Sequence, residues 1–152
     1  MNYYLLFFFI LTSCSRSYET EASVNDVHDQ LSVDVEITLT EKGNIKALIK
    51  SKLLERNDNN LELKLTDNVN VDLYDDNYQH SSLITSNYAF VSETENKINA
   101  FGDVIVAADN GQQLWTDSLL WDNKADKIFT NASLTFISGN LDTLYGTGFE
   151  SN

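Results

Sequence analysis

The stretch that decides the fold runs Ile98-Asn-Ala-Phe-Gly102-Asp-Val104-Ile-Val106, then Asp109-Asn-Gly111, Leu114-Trp-Thr116 and Leu119-Leu-Trp121. Beyond Asp122-Asn-Lys-Ala-Asp126 the same texture returns as Ile128-Phe-Thr130, Leu134-Thr-Phe136, Ser138-Gly-Asn140 and Leu144-Tyr-Gly146-Thr-Gly148-Phe149. Apolar side chains recur at every second position, and Asn, Asp and Gly clusters interrupt them. An extended chain puts alternate side chains on opposite faces, so each run reads as a half-buried strand and each cluster as a turn. A shift of about 30 residues, in the manner of a repeat search, lays Ile98 on Ile128, Val104 on Leu134 and Val106 on Phe136. It also lays Leu114 on Leu144 and Trp115 on Tyr145. The ladder is therefore either a repeated pair of strands or a chance echo within a β-rich chain.

Working back from the ladder, the pattern extends to Leu31. Val33, Val35, Ile37 and Leu39 fall on one face, with Asp34, Glu36, Thr38 and Thr40 on the other. Glu41-Lys-Gly43-Asn44 makes a turn, and Ile45, Ala47, Ile49 and Ser51 return as the second arm of a hairpin. Ser51 to Arg56 permits one helical turn before Asn57-Asp-Asn-Asn60 ends it. Leu61, Leu63 and Leu65 alternate, Asp67-Asn68 interrupts, and Val69, Val71 and Leu73 resume. Leu83 to Val91 then leads into the ladder. Strands of about 5–7 residues with turns every 8–12 predict an all-β sandwich or solenoid-like sheet pair.

A chain of 152 residues provides for one domain and a short tail. The formal net charge of −13 argues against nucleic acid or an anionic membrane surface as a direct partner. Proline is absent, so no strand loses a backbone donor. The one cysteine, Cys14, rules out an intramolecular disulfide.

The position of Cys14 carries more information than its number. Tyr3 to Leu11 is an apolar run too short to cross a bilayer as a helix, and it has the length of a signal-peptide core. Leu11-Thr12-Ser13-Cys14 follows it and is similar to the bacterial lipobox, whose cysteine is lipidated and becomes the new N-terminus. Met1-Asn2-Tyr3-Tyr4 lacks the usual Lys or Arg, and a plain secretory signal with an incidental cysteine is the alternative. Residues 1–13 thus read as a signal peptide, 14–30 as a lipidated flexible tether, and 31–152 as the β-domain. Two or three acyl chains, at about 0.8 kcal/mol per buried methylene, hold a protein firmly to a membrane.

No catalytic constellation stands out. His28 and His80 are the only histidines, and no Cys–His or His–His spacing suits a transition metal. There is no nucleophile elbow and no phosphate-binding glycine loop. The acidic run Asp67 to Asp76 lacks the glycine and terminal Glu of a calcium loop, and it alternates like an exposed strand face. The expectation is a non-enzyme with no cofactor and no metal.

The order Gly102-x-Val104-x-Val106, Gly111-x-x-Leu114-x-Thr116, Leu119-x-Trp121-Asp122, Ile128-x-Thr130 and Leu144-x-Gly146-x-Gly148-Phe149 resembles the LptC family. That family is the periplasmic component of the lipopolysaccharide export ABC transporter. The resemblance is best over Tyr88 to Asn152 and weaker back to Leu31. It implies a twisted, half-open β-jelly roll of two antiparallel sheets, LptA-like, enclosing an apolar groove. It further implies that the groove accepts lipopolysaccharide from the inner-membrane transporter and passes it to an LptA-like periplasmic bridge protein. The better-known members carry a transmembrane helix where this chain presents Cys14. The resemblance places the domain on the periplasmic side of the inner membrane, although Ser15 leaves the outer membrane open as the anchoring site.

Val104, Val106, Leu114, Leu119, Trp121, Ile128, Leu134, Phe136 and Leu144 are the expected groove lining. The bland reading of the same set is a closed core. Leu144, Tyr145, Gly146, Gly148 and Phe149 are the expected docking edge for the bridge protein, because a strand free of Pro and Lys leaves its backbone open to pairing. Gly102, Gly146 and Gly148 serve either as bulges or as ordinary turn glycines. A structural or adhesive β-domain of the cell envelope is the competing function.

Overall fold

The computed structural model describes residues 30–57, 61–92 and 94–151. The leader, Cys14 and nearly all of the tether lie outside them. Eight strands follow in order: β1 (Gln30–Glu41), β2 (Asn44–Asn57), β3 (Glu62–Tyr74), β4 (His80–Ser92), β5 (Lys97–Ala108), β6 (Gln113–Asp122), β7 (Lys127–Ile137) and β8 (Thr143–Ser151). Each pairs antiparallel with its neighbours in sequence, and the order across the single sheet is β1 through β8. The sheet is curled and unclosed, with β1 and β8 as its two edges. This is the all-β, jelly-roll-like architecture expected of the chain.

The strands run 9 to 14 residues, about twice the expected length. The reason is a line of bulges crossing the sheet at mid-strand. Pairing shifts between Lys50 and Leu53, Thr66 and Val69, Thr85 and Tyr88, Phe101 and Val104, Thr116 and Leu120, and Thr130 and Ser133. A bulge sets more residues of one strand against fewer of its partner and bends the strand sharply. Aligned bulges fold one sheet into two facing halves. The two expected sheets are thus the two arms of one continuous ladder.

Residues able to take a left-handed backbone mark the bend. Asp34, Asp67, Asn68, Gly102, Asp103 and Gly148 all have positive φ there, and Gly, Asn and Asp reach that region most easily. At Gly102 a Cβ would sit 2.9 Å from Asn87 Nδ2 as well. Bulges also strand backbone groups, which must find partners if buried. Ser51 Oγ donates to Thr66 O at 2.7 Å, Ser86 Oγ to Tyr88 O at 3.2 Å and Thr116 Oγ1 to Ser133 O at 3.0 Å. Ala132 N donates to Thr130 Oγ1 at 3.0 Å. These four hydroxyls belong to buried residues; they stitch the fold line.

Three local expectations change accordingly. Ser51 to Arg56 is strand, because Ser51 spends its hydroxyl on the bend. Asp67-Asn68 is a bulge inside β3, where a strand break was expected. Val33 does not share a face with Val35, since the bend at Asp34 turns it outward and leaves it 70% exposed.

The core lies between the two arms. Ala47, Ile49, Leu65, Val69, Val71, Ala89, Val91, Ile98, Ala100 and Val104 are essentially inaccessible and form one cluster with their neighbours. The 30-residue shift is realised as β5 on β7 and β6 on β8, with Val104 and Leu134 inward at matching places.

Candidate functional site

Where the arms splay apart they leave a cavity of about 510 Å³. Leu73, Val106, Leu114 and Phe136 wall it from the arm that runs from the bend to the 75–79 and 109–112 turns. Trp121, Ile128 and Phe149 wall it from the arm that runs to the 123–126 turn. The Phe136 and Phe149 rings stack at 6.0 Å and 23° across the opening between arms, near the β8 edge. Ligand pockets span about 300–1,000 Å³; this cavity falls in that range, and polar side chains share its lining with the apolar ones.

Of the expected lining, Val106, Leu114, Trp121, Ile128 and Phe136 border the cavity. Val104, Leu119 and Leu134 are buried in the core behind it. Leu144 pairs with Phe136 but is 58% exposed on the edge strand and does not reach the cavity.

On β8, Tyr145 is 79% exposed, and it shares with Gly146 and Trp115 a second recess of about 460 Å³. Gly148 makes the bend, with φ +80°. Phe149 follows the bend and turns inward. Leu73 and Phe149 are walls that the alternation alone did not reveal. The repeat held a signal for the second, since the same shift carries Leu119 onto Phe149.

Much of the polar part of the lining comes from turns and strand ends. Asp75, Asp76 and Asn77 follow β3, Asn110 and Gln112 precede β6, and Asp126 and Lys127 precede or open β7. Lys46 pairs with Asp76, and that hydrogen bond holds its amine above the ordinary lysine range. Lys127 pairs with Glu150. Asp75 Oδ1 accepts from the backbone N–H groups of Gln79 at 2.9 Å and Asn77 at 2.8 Å, so the carboxyl ionises more readily than usual. On the sheet's outer surface His80 lies between Asp109 (Nδ1 to Oδ2, 2.9 Å) and Asp72 (Nε2 to Oδ1, 3.3 Å), which raises its pKa.

Among the described residues no group of three or more His, Cys, Asp or Glu side chains is arranged to hold a metal ion. No helix among them is long and apolar enough to cross a membrane. The family model for lipopolysaccharide assembly, LptC-related, matches residues 4–152. No curated protein sequence matches the chain.

Proposed function

The chain belongs to the LptC family of lipopolysaccharide-assembly proteins, and from that membership we propose that its cavity carries the acyl chains of lipopolysaccharide in transit. Transport of lipopolysaccharide is the family's work, at the periplasmic side of the inner membrane. On our reading this domain receives the lipid from the inner-membrane export ABC transporter and hands it to an LptA-like bridge protein. Cys14, once acylated, anchors the domain beside the transporter.

The observation that carries the reading is the apolar-floored cavity between two arms of an unclosed sheet. The cavity of about 510 Å³ is open to solvent, and Leu, Ile, Phe and Trp side chains form its apolar floor beneath a polar rim. That apolar floor faces water when the groove is unfilled, and acyl chains lying on it would remove apolar surface from water at about 25 cal/mol per Å². The open edge at β8 supplies the route onward, because an incoming strand would satisfy its free backbone groups and continue the same inner face.

The test uses the full chain in cells exporting lipopolysaccharide. A photoreactive phenylalanine replaces Phe136 or Val106 on the inner face, or Thr135 on the outer face as control. Lipopolysaccharide adducts are expected from the first two and not from the third. An adduct pattern that ignores the face, or no adduct at all, would overturn the reading. Mass spectrometry of the membrane-bound protein checks the anchor: an unmodified Cys14 would remove it.

A further inference from the structure

Given that the cavity holds acyl chains as proposed above, the charges around its rim govern which polar head can follow them. The rim carries two amines, each already committed: Lys46 to Asp76 and Lys127 to Glu150. Lys124, in the same turn as Asp126, points its amine at Thr94 O instead. That leaves the carboxylates of Asp75 and Asp126 without an ion-pair partner among the described residues. The backbone N–H bonds to Asp75 keep it ionised. Asp75 and Asp126 both share the field of Lys46, which already bonds Asp76. The rim is therefore net negative, and among the described residues no uncommitted cation lines it.

A bare phosphate brought to such a rim meets like charge, a repulsion that is felt over the screening length and grows as salt falls. An ammonium group, by contrast, finds two carboxylates and several amide oxygens, from Asn77, Asn110 and Gln112, among its neighbours. We infer that the cavity selects lipopolysaccharide whose phosphates are absent or capped by an amine at the head that crosses this rim. Asp75 and Asp126 are the residues that impose the choice.

The experiment presents the purified full chain, photoreactive at Phe136, with three lipid A probes of identical acylation. One carries free phosphates, one carries phosphoethanolamine caps, and one lacks phosphate at one end. A chelator prevents divalent bridging, and salt is kept low, where the screening length is about 30 Å. The capped and phosphate-poor probes are expected to label several-fold more than the free-phosphate probe. In the Asp75→Asn, Asp126→Asn double variant the difference should shrink to near parity. Equal labelling by all three probes in the unaltered chain would overturn the inference and leave the groove reading standing. A preference that survives the double variant would overturn the assignment to these two residues. No labelling by any probe would sink the groove reading, and this inference with it.

Discussion

At the scale of single residues, the hydroxyls on the fold line contribute more to this structure than their size suggests. Thr116 is buried, and its hydroxyl is the partner of the Ser133 carbonyl, which the bulge removes from the ladder. Thr116→Val keeps the shape and strands that oxygen, so a loss of about 1–3 kcal/mol is expected by urea denaturation. A change below about 0.5 kcal/mol would mean that the carbonyl has another partner. Gly102→Ala meets both the positive φ and Asn87, whereas Gly43→Ala meets open space; the first should cost more than the second.

His80 gives a pH dependence of defined sign. Its folded-state pKa is raised by Asp109 first, then by Asp72. Its stabilisation is therefore fully present below the unfolded value of about 6.5 and fades as pH climbs through the higher folded value. The urea midpoint should drop as pH rises above about 6.5, and His80→Gln should flatten that drop; an unchanged slope would refute the contribution. Of these roles only that of Gly102 had a signal beforehand, as one of two readings of that glycine. A serine or threonine inside a strand pattern looks like a polar outward position, and only the bulge turns it inward.

At the scale of the strand, the alternation identified every element after Leu31 as β and put most inward residues where they are. Lengths and phases failed for one cause. Asp, Asn and Gly signal a turn in a sequence, and the same backbone freedom serves a bend inside a strand. The inward series steps by four across the bend in β3, β5 and β7, as from Leu65 to Val69 and Ala100 to Val104. It steps by three in β4 and β6, as from Ser86 to Ala89 and Thr116 to Leu119. A reading with an unbroken period of two loses phase at each step of three, which is how Val33 was put on the face of Val35 and how the inward turn of Phe149 escaped notice.

The edge strand β8 permits a direct test of docking. Along an antiparallel edge, alternate N–H groups point into the ladder and out to solvent. Proline placed at Leu144 or, separately, at Tyr145 therefore removes one inward and one outward donor. One of the two variants is expected to fold as the parent does and to lose binding to an LptA-like protein. If the well-folded variant binds it undiminished, docking lies on another edge.

At the scale of the whole molecule, every strand is hydrogen-bonded only to its neighbours in sequence, so the pairing is quasi-one-dimensional, like that of a short solenoid. The most inaccessible core residues lie on β2 to β5, while β1 and β8 are flanked on one side only. Hydrogen exchange should be slowest in β3 to β5 and fastest along β1 and β8. Uniform protection across all eight strands would indicate a single cooperative block. Length and charge suited a single acidic domain, and the family resemblance suggested an open groove. The cavity's polar rim was not legible, because residues from three separate turns meet only when the sheet bends.

The fold line also bears on how such a chain can change over evolutionary time. Within either arm, inserting or deleting one residue reverses every side chain up to the next turn and exchanges core for surface. At the bend, steps of three and of four both return the chain to the inner face, so one residue gained or lost there is absorbed. Single-residue length differences among relatives should then gather along this crease, leaving the two arms free to diversify in composition while their spacing is conserved.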